Sequence, residues 1–272
     1  MTPHLYIYSG AGNDFVVVDG RGTDVSAMRE PAAIEALCRE HGTDGFMILD
    51  EACQGTDFRM EYYNSDGSGG MMCGNGGRCI VAFADALGII PADGSVYLFE
   101  AADGLHTGEV LSRDGERKIV RIKMIDAFDL RRMEVCGHKG CYVNTGTRHF
   151  VTFEPDVAQT DVEGTGALLR HDPAFAPQGA NINFVTVTGA RSLAVRTFEK
   201  GVEAETLACG TGITASAIVA WYMGSGEPAP AGQPVHYDIR ARIDDLAVDF
   251  IPASEGEIVA REVYLTGPAT VL

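Results

Sequence analysis

Hydrophobic and polar positions alternate over residues 57 to 63 (DFRMEYY) and again over 192 to 198 (SLAVRTF), the period-2 pattern of half-buried strands. A Gly-rich turn and then a helical pattern follow each run. Residues 73 to 87 place Ile80, Val81, Phe83, Ala84 and Leu87 at helical spacing, and residues 209 to 223 do the same with Ile213, Ala217, Val219, Ala220 and Met223. Small and apolar side chains cover most of the circumference of both helices, so each is expected to be enclosed by its own sheet. A third helix is expected over 31 to 41, with Pro31 suited to its first turn, and a weaker candidate lies over 162 to 171.

The two halves of the chain repeat one plan. Gly12-Asn13-Asp14-Phe15-Val16-Val17-Val18 is echoed by Gly146-Thr147-Arg148-His149-Phe150-Val151-Thr152, Gly45-Phe46-Met47-Ile48-Leu49 by Asn183-Phe184-Val185-Thr186-Val187, and Cys73-Gly74-Asn75-Gly76 by Cys209-Gly210-Thr211-Gly212. The three echoes keep their order and nearly one offset, which points to a duplicated unit. The expected fold class is α/β in the α+β sense: two pseudo-symmetric domains, each a mostly antiparallel sheet wrapped around a central helix. The expected boundaries are 1–127 and 128–261, with a C-terminal strand over 262–272 completing the first domain.

Composition changes the picture by exclusion. The chain has 272 residues, 46% of them hydrophobic and 22% charged, as in an ordinary folded protein. A net charge of −17 disfavours nucleic acid or an anionic membrane as partner. The N-terminus lacks a basic region followed by an apolar run, and no stretch approaches the roughly 20 apolar residues of a membrane span, so a cytoplasmic protein is expected. Seven cysteines (Cys38, Cys53, Cys73, Cys79, Cys136, Cys141, Cys209), an odd number without framework spacing, fit a reducing compartment. Cys136-Gly-His138-Lys-Gly-Cys141 lacks a second cluster at zinc-site spacing, so no metal is expected.

The chemistry is concentrated in the paired cysteine turns. Cys73 and Cys209 each sit where a Gly-rich loop enters a helix, where unpaired backbone N–H groups and the helix dipole favour negative charge and should lower a thiol's pKa. The flanking glycines let those N–H groups approach a carboxylate. Two such termini facing each other would hold a substrate's Cα between two sulfurs, one removing a proton from one face and the other delivering one to the opposite face. Cys79, in mid-helix, should be inert.

At these residues the chain resembles the diaminopimelate epimerase family, cofactor-independent enzymes of lysine and peptidoglycan biosynthesis. The resemblance spans nearly the whole length. It is carried by Asn64-Ser-Asp-Gly-Ser, Met72-Cys73-Gly74-Asn75-Gly76-Gly77-Arg78-Cys79, Glu205-Thr206-Leu207-Ala208-Cys209-Gly210-Thr211-Gly212, Gly12-Asn13-Asp14-Phe15 and Asn181-Ile-Asn183-Phe184. It implies two pseudo-symmetric domains with the site in the cleft between them, often a homodimer, and interconversion of LL- and meso-diaminopimelate without cofactor. Cys73 and Cys209 match the catalytic pair, His149 and Glu199 the residues assisting at the reacting amino group. Gly74, Asn75, Gly210 and Thr211 match binders of the reacting carboxylate, and Asn13, Asn64 and Asn181 other substrate contacts. Taken alone, a histidine in a strand reads as structural and a lone asparagine as a turn residue.

Three departures concern substrate choice. Thr147-Arg148 stands where the family usually has Asn-Pro, Lys200 replaces an arginine that grips the distal carboxylate, and the loop between Glu199 and Cys209 looks one residue longer. Lys200 keeps the charge but not the planar fork. A same-fold racemase of proline, hydroxyproline or histidine is the nearest alternative. Proline-type racemases usually carry histidine where Asn75 stands, and Glu199-Lys200-Gly201 also favours diaminopimelate. A pyridoxal-phosphate enzyme would need a Schiff-base lysine, and Lys118, Lys123, Lys139 and Lys200 sit in no such motif. A non-catalytic amino-acid binding protein would have no use for two thiols.

Overall fold

The chain folds, in the computed structural model, into two compact units, residues 1–123 with 266–272 and residues 124–265. The structure describes residues 3–53, 55–70, 72–224, 232–253 and 257–272.

In the first unit the β-rich runs become β1 (Leu5–Ser9), β2 (Asp14–Asp19), β3 (Gly45–Asp50), β4 (Phe58–Asn64), β5 (Val96–Ala101), β6 (Gly104–Asp114) and β7 (Arg117–Lys123). Neighbours in sequence pair in order. The ring closes through the end of the last strand, β16 (Ile258–Val271): its Pro268 pairs with Ile119 of β7 and its Thr270 with Ser9 of β1. Two pairings in this ring are parallel, β2 with β3 and β4 with β5. A parallel pair needs a long crossover. The first crossover carries α1 (Pro31–His41), which has proline at its first turn and ends at Gly42 with φ of 66°. The second carries α2 (Gly74–Ala86), which runs inside the ring and packs on β1, β3, β4, β6 and β7. Strands β2 and β3 share the layer containing Ile34 and Cys38 of α1 outside, β3 is covered by α2 within, and the interior residues of both strands are fully buried. Their unbroken hydrophobic runs, FVVVD and GFMILD, follow from that.

The second unit repeats the scheme with β8 (Ala127–Val135), β9 (His138–Asn144), β10 (Arg148–Phe153), β11 (Asn181–Gly189), β12 (Ser192–Glu199), β13 (Ala204–Thr206), β14 (Val235–Arg240), β15 (Asp245–Pro252) and the start of β16. Ile258 and Ala260 of β16 pair with Phe128 and Ala127, which closes this ring as well. The parallel pairs recur at corresponding places, β10 with β11 and β12 with β14. Their crossovers carry α3 (Val162–Arg170), outside on a core of Phe150, Phe175, Phe184 and Phe198, and α4 (Gly210–Tyr222), buried from Ile213 to Ala220.

The fold is therefore α+β, each unit a mostly antiparallel sheet wrapped around a central helix. No helix among the described residues is long and apolar enough to cross a membrane. Cys136 lies exposed at the turn after β8, where its thiol donates to Asp172, whereas Cys141 is buried beside Met223. Among the described residues no group of His, Cys, Asp or Glu is arranged to hold a metal ion.

Candidate active site

In the first unit, Cys73 is the N-cap of α2 with an extended backbone, and its sulfur accepts the Gly76 N–H at 3.2 Å. The residue keeps some exposed surface, but its sulfur lies deep among protein atoms. The Tyr62 hydroxyl, projecting from β4, donates to the same sulfur. One turn along α2, the Arg78 side chain is wholly buried; it donates to the Gly74 carbonyl, the Pro268 carbonyl and the Asn75 side-chain oxygen. The oxygen of Asn75 is thus occupied. The Asn13 side-chain oxygen is buried with no protein partner among the described residues, whereas Asn64 is held within its own turn by Ser68.

In the second unit, Cys209 is the N-cap of α4, 5% exposed. Its thiol donates to Glu199 at the end of β12, and the Thr206 hydroxyl of β13 donates to the same carboxylate. The Gly212 N–H eases a charge on the sulfur without making a capping hydrogen bond to it, and Thr211 Oγ1 lies 3.5 Å from the sulfur. Thr147 Oγ1 is 3.0 Å from Thr211 Oγ1 and 2.8 Å from His149 Nε2. The Asn181 amide nitrogen lies 3.3 Å from Thr147 Oγ1, and its oxygen accepts the Lys200 backbone N–H at 2.8 Å. The Lys200 ammonium bonds the Gln178 carbonyl at 3.2 Å. Both ring nitrogens of His149, which is wholly buried, are engaged, Nδ1 by Asn183.

Hydrogen bonds therefore join Cys209, Thr211, Thr147, His149, Asn181 and Glu199 into one cluster, and they join Asn75 to the Cys73 turn through Arg78. Tyr62, Arg78, Asn183, Thr197 and Thr206 were not singled out from sequence. The signal available was register: Thr197 and Glu199 continue the inward face of Leu193 and Val195, and Asn183 that of Val185, so polar residues stand where that face is buried and apolar.

The thiols correct one expectation. The helix starts were expected to lower both pKa values; instead burial raises both. A thiolate stripped of water costs more than a few N–H donors return. The donors, with the Arg78 guanidinium and Tyr62, offset part of the rise at Cys73, while the Glu199 carboxylate adds to the rise at Cys209. Burial pushes the thiol of Cys79, in mid-helix, upward as well. Burial likewise raises Glu199 and drives the His149 imidazole down to about 3.

The second glycine of each Cys-Gly-x-Gly turn has a steric cause. A Cβ on Gly76 would sit 3.3 Å from the Cys73 sulfur and the Met47 sulfur; one on Gly212 would sit 3.3 Å from the Cys209 sulfur and only 2.3 Å from Asn183 Oδ1. The equivalent substitutions should therefore differ. Gly212→Ala is expected to cost about 2–3 kcal/mol in urea unfolding and Gly76→Ala under about 1 kcal/mol. Equal costs would contradict this geometry.

Residues 5–120 and 141–233 match the family model described as diaminopimelate epimerase. The chain belongs to the diaminopimelate epimerase family. It is 38% identical to the diaminopimelate epimerase of Chlorobaculum tepidum, with 96% of each chain covered, and 42% identical to that of Flavobacterium psychrophilum, over 79% of this chain and 80% of the relative. Among solved structures, the fold is similar to a Bacillus anthracis phenazine biosynthesis protein of the PhzF family, with a TM-score of 0.73, 13% identity, and 100% and 98% coverage. It is also similar to a hydroxyproline epimerase from Agrobacterium vitis, with a TM-score of 0.69, 16% identity, and 99% and 89% coverage. Membership in this family makes the chain an isomerase of the racemase and epimerase class.

Proposed function

We propose that the chain interconverts LL- and meso-diaminopimelate by a two-thiol mechanism without pyridoxal phosphate. One observation carries this reading: each unit presents a single cysteine as the N-cap of its buried central helix, with a donor beside the sulfur, the Gly76 N–H at Cys73 and the Thr211 hydroxyl at Cys209. In the forward step one of Cys73 and Cys209, as thiolate, takes the α-proton. The electron pair stays on Cα and is delocalised into the carboxylate. The other, as thiol, returns a proton to the opposite face. No atom is gained or lost; the enzyme is left with its two thiol protonation states exchanged, and the roles swap with substrate configuration.

The carboxylate of the reacting centre is assigned to the helix-start amides of Gly74, Asn75, Gly210 and Thr211, where N–H donors stabilise the developing negative charge. Glu199 is assigned to the reacting amino group, and Asn13, Asn64, Asn181 and Lys200 to the remainder of the substrate; Thr147, its hydroxyl engaged by His149, Asn181 and Thr211, stands behind these contacts. Lys200 offers a point charge to the distal carboxylate. Reduced thiols fit a cytoplasmic enzyme, and the family resemblance supports a homodimer.

Incubation with LL-diaminopimelate in heavy water tests the reading. Deuterium should enter the α position in step with loss of optical purity, and proline, hydroxyproline and histidine should stay inert. No turnover of diaminopimelate, or faster turnover of a single-carboxylate amino acid, would overturn it.

A further inference from the structure

Hydrogen positions in the Cys209 cluster are fixed by the heavy atoms. Asn183 Nδ2 lies 3.2 Å from the Phe150 carbonyl oxygen, which can only accept, and Asn183 Oδ1 takes the Thr197 hydroxyl at 3.0 Å. The Asn183 amide therefore presents an N–H to His149 Nδ1, 3.1 Å away. His149 Nδ1 is an acceptor, and the neutral ring carries its proton on Nε2. That N–H points at Thr147 Oγ1, 2.8 Å away.

The Asn181 amide is oriented in the same way. Its oxygen holds the Lys200 N–H, so its nitrogen donates to Thr147 Oγ1. With both lone pairs of Thr147 filled, its hydroxyl hydrogen has one way to go, to Thr211 Oγ1 at 3.0 Å. Thr211, already accepting there, turns its own hydrogen to the Cys209 sulfur, and its backbone is pinned by the Thr145 hydroxyl on the Thr211 carbonyl. Within the second unit the titratable groups facing the sulfur are Glu199 from β12 and, through these two hydroxyls, His149 from β10.

We propose that Thr147 is a positioning residue for the reaction: it sets the direction of a one-way hydrogen-bond chain, Thr197–Asn183–His149–Thr147–Thr211, that ends as an O–H donor on the Cys209 sulfur. When Cys209 has given its proton to substrate carbon, the chain meets the new thiolate with a donor already in place. An amide side chain at this position would have no single rotatable hydroxyl to fill this place. The purpose of the hydrogen-bond chain rests on the two-thiol reading, but its chemistry is measurable without turnover.

The test is alkylation of free enzyme by iodoacetamide at pH 8, with Cys209 and Cys73 peptides separated by mass spectrometry. Relative to Cys73 in the same protein, Cys209 of Thr147→Val should react about three- to ten-fold more slowly, the thiolate fraction falling as its donor is loosened, and Thr147→Ser should restore the rate. An unchanged Cys209 rate in Thr147→Val, or a Thr147→Ser as slow as the valine variant, would overturn the proposal. A second measurement uses the unaltered protein: nitrogen NMR of its labelled imidazoles should find His149 neutral and protonated on Nε2 from pH 8 to 5. The opposite tautomer, or protonation within that range, would overturn it too, even should Thr147→Val not fold. Absence of epimerase activity with both results intact would sink the function and leave the chain standing.

Discussion

Cys73→Ser and Cys209→Ser are each expected to lower kcat/KM for LL-diaminopimelate by about 10³-fold or more, while ligand affinity stays within a few-fold of the unaltered protein. A serine hydroxyl fills nearly the same space but ionises far less readily than a thiol, so it can serve neither as base nor as an acid of matched strength. The magnitude follows from losing one of two obligatory proton transfers, each step of acid–base catalysis contributing on the order of 10²- to 10⁴-fold. The pH profile supplies the second readout. Burial raises both thiols, so near neutrality both are mostly protonated and the reactive form, one thiolate with one thiol, is a minority. The rate of the unaltered enzyme should therefore climb from pH 7 towards 9, with the rising limb set by Cys73, whose rise is partly relieved by Arg78 and Tyr62. A rate already flat below pH 7, or a serine variant within ten-fold of the unaltered enzyme, would end the two-thiol mechanism.

Much of this was legible in the sequence because a duplicated unit repeats its constraints. The Cys-Gly-x-Gly turns, the runs over 57 to 63 and 192 to 198, and the helical patterns after them correspond to β4, β12, α2 and α4, and Pro31 opens α1 as its residue type implies. A C-terminal strand over 262–272 was expected to complete the first domain, but the register of ring closure was less accessible. The pairing of Thr270 with Ser9 joins positions at opposite ends of the chain, and no local pattern specifies such a partner. The direction of the thiol shifts was misread for a physical reason: the helix start is visible in sequence, the depth of the sulfur is not, and desolvation outweighs the helix start. The network behind Cys209 was hidden for a third reason. Thr147, Asn183, Thr197 and Thr206 are ordinary strand and turn residues whose roles arise only from where neighbouring strands put their partners.

Arg78→Met is expected to be the most destabilising of the substitutions considered, by about 3 kcal/mol or more in urea unfolding. The Arg78 guanidinium is 0% exposed, and its removal strips a donor from the Gly74 carbonyl, the Pro268 carbonyl and the Asn75 side chain at once. A buried acceptor left without its partner costs about 1–3 kcal/mol, and methionine fills the volume without replacing any donor. Two of the three acceptors belong to the start of α2, and Pro268 lies in the part of β16 that closes the first ring, so one side chain ties the central helix to the closing strand. The same cation lowers the cost of a Cys73 thiolate. Arg78→Met should thus shift the alkylation of Cys73 to higher pH while leaving the Cys209 peptide nearly unchanged. Arg78→Lys keeps the charge and loses the fork, so it should recover part of the Cys73 reactivity and less of the stability. Loss of stability with Cys73 reactivity unchanged would make Arg78 a purely structural tie; neither effect appearing would mean that the guanidinium does not reach these three acceptors in solution.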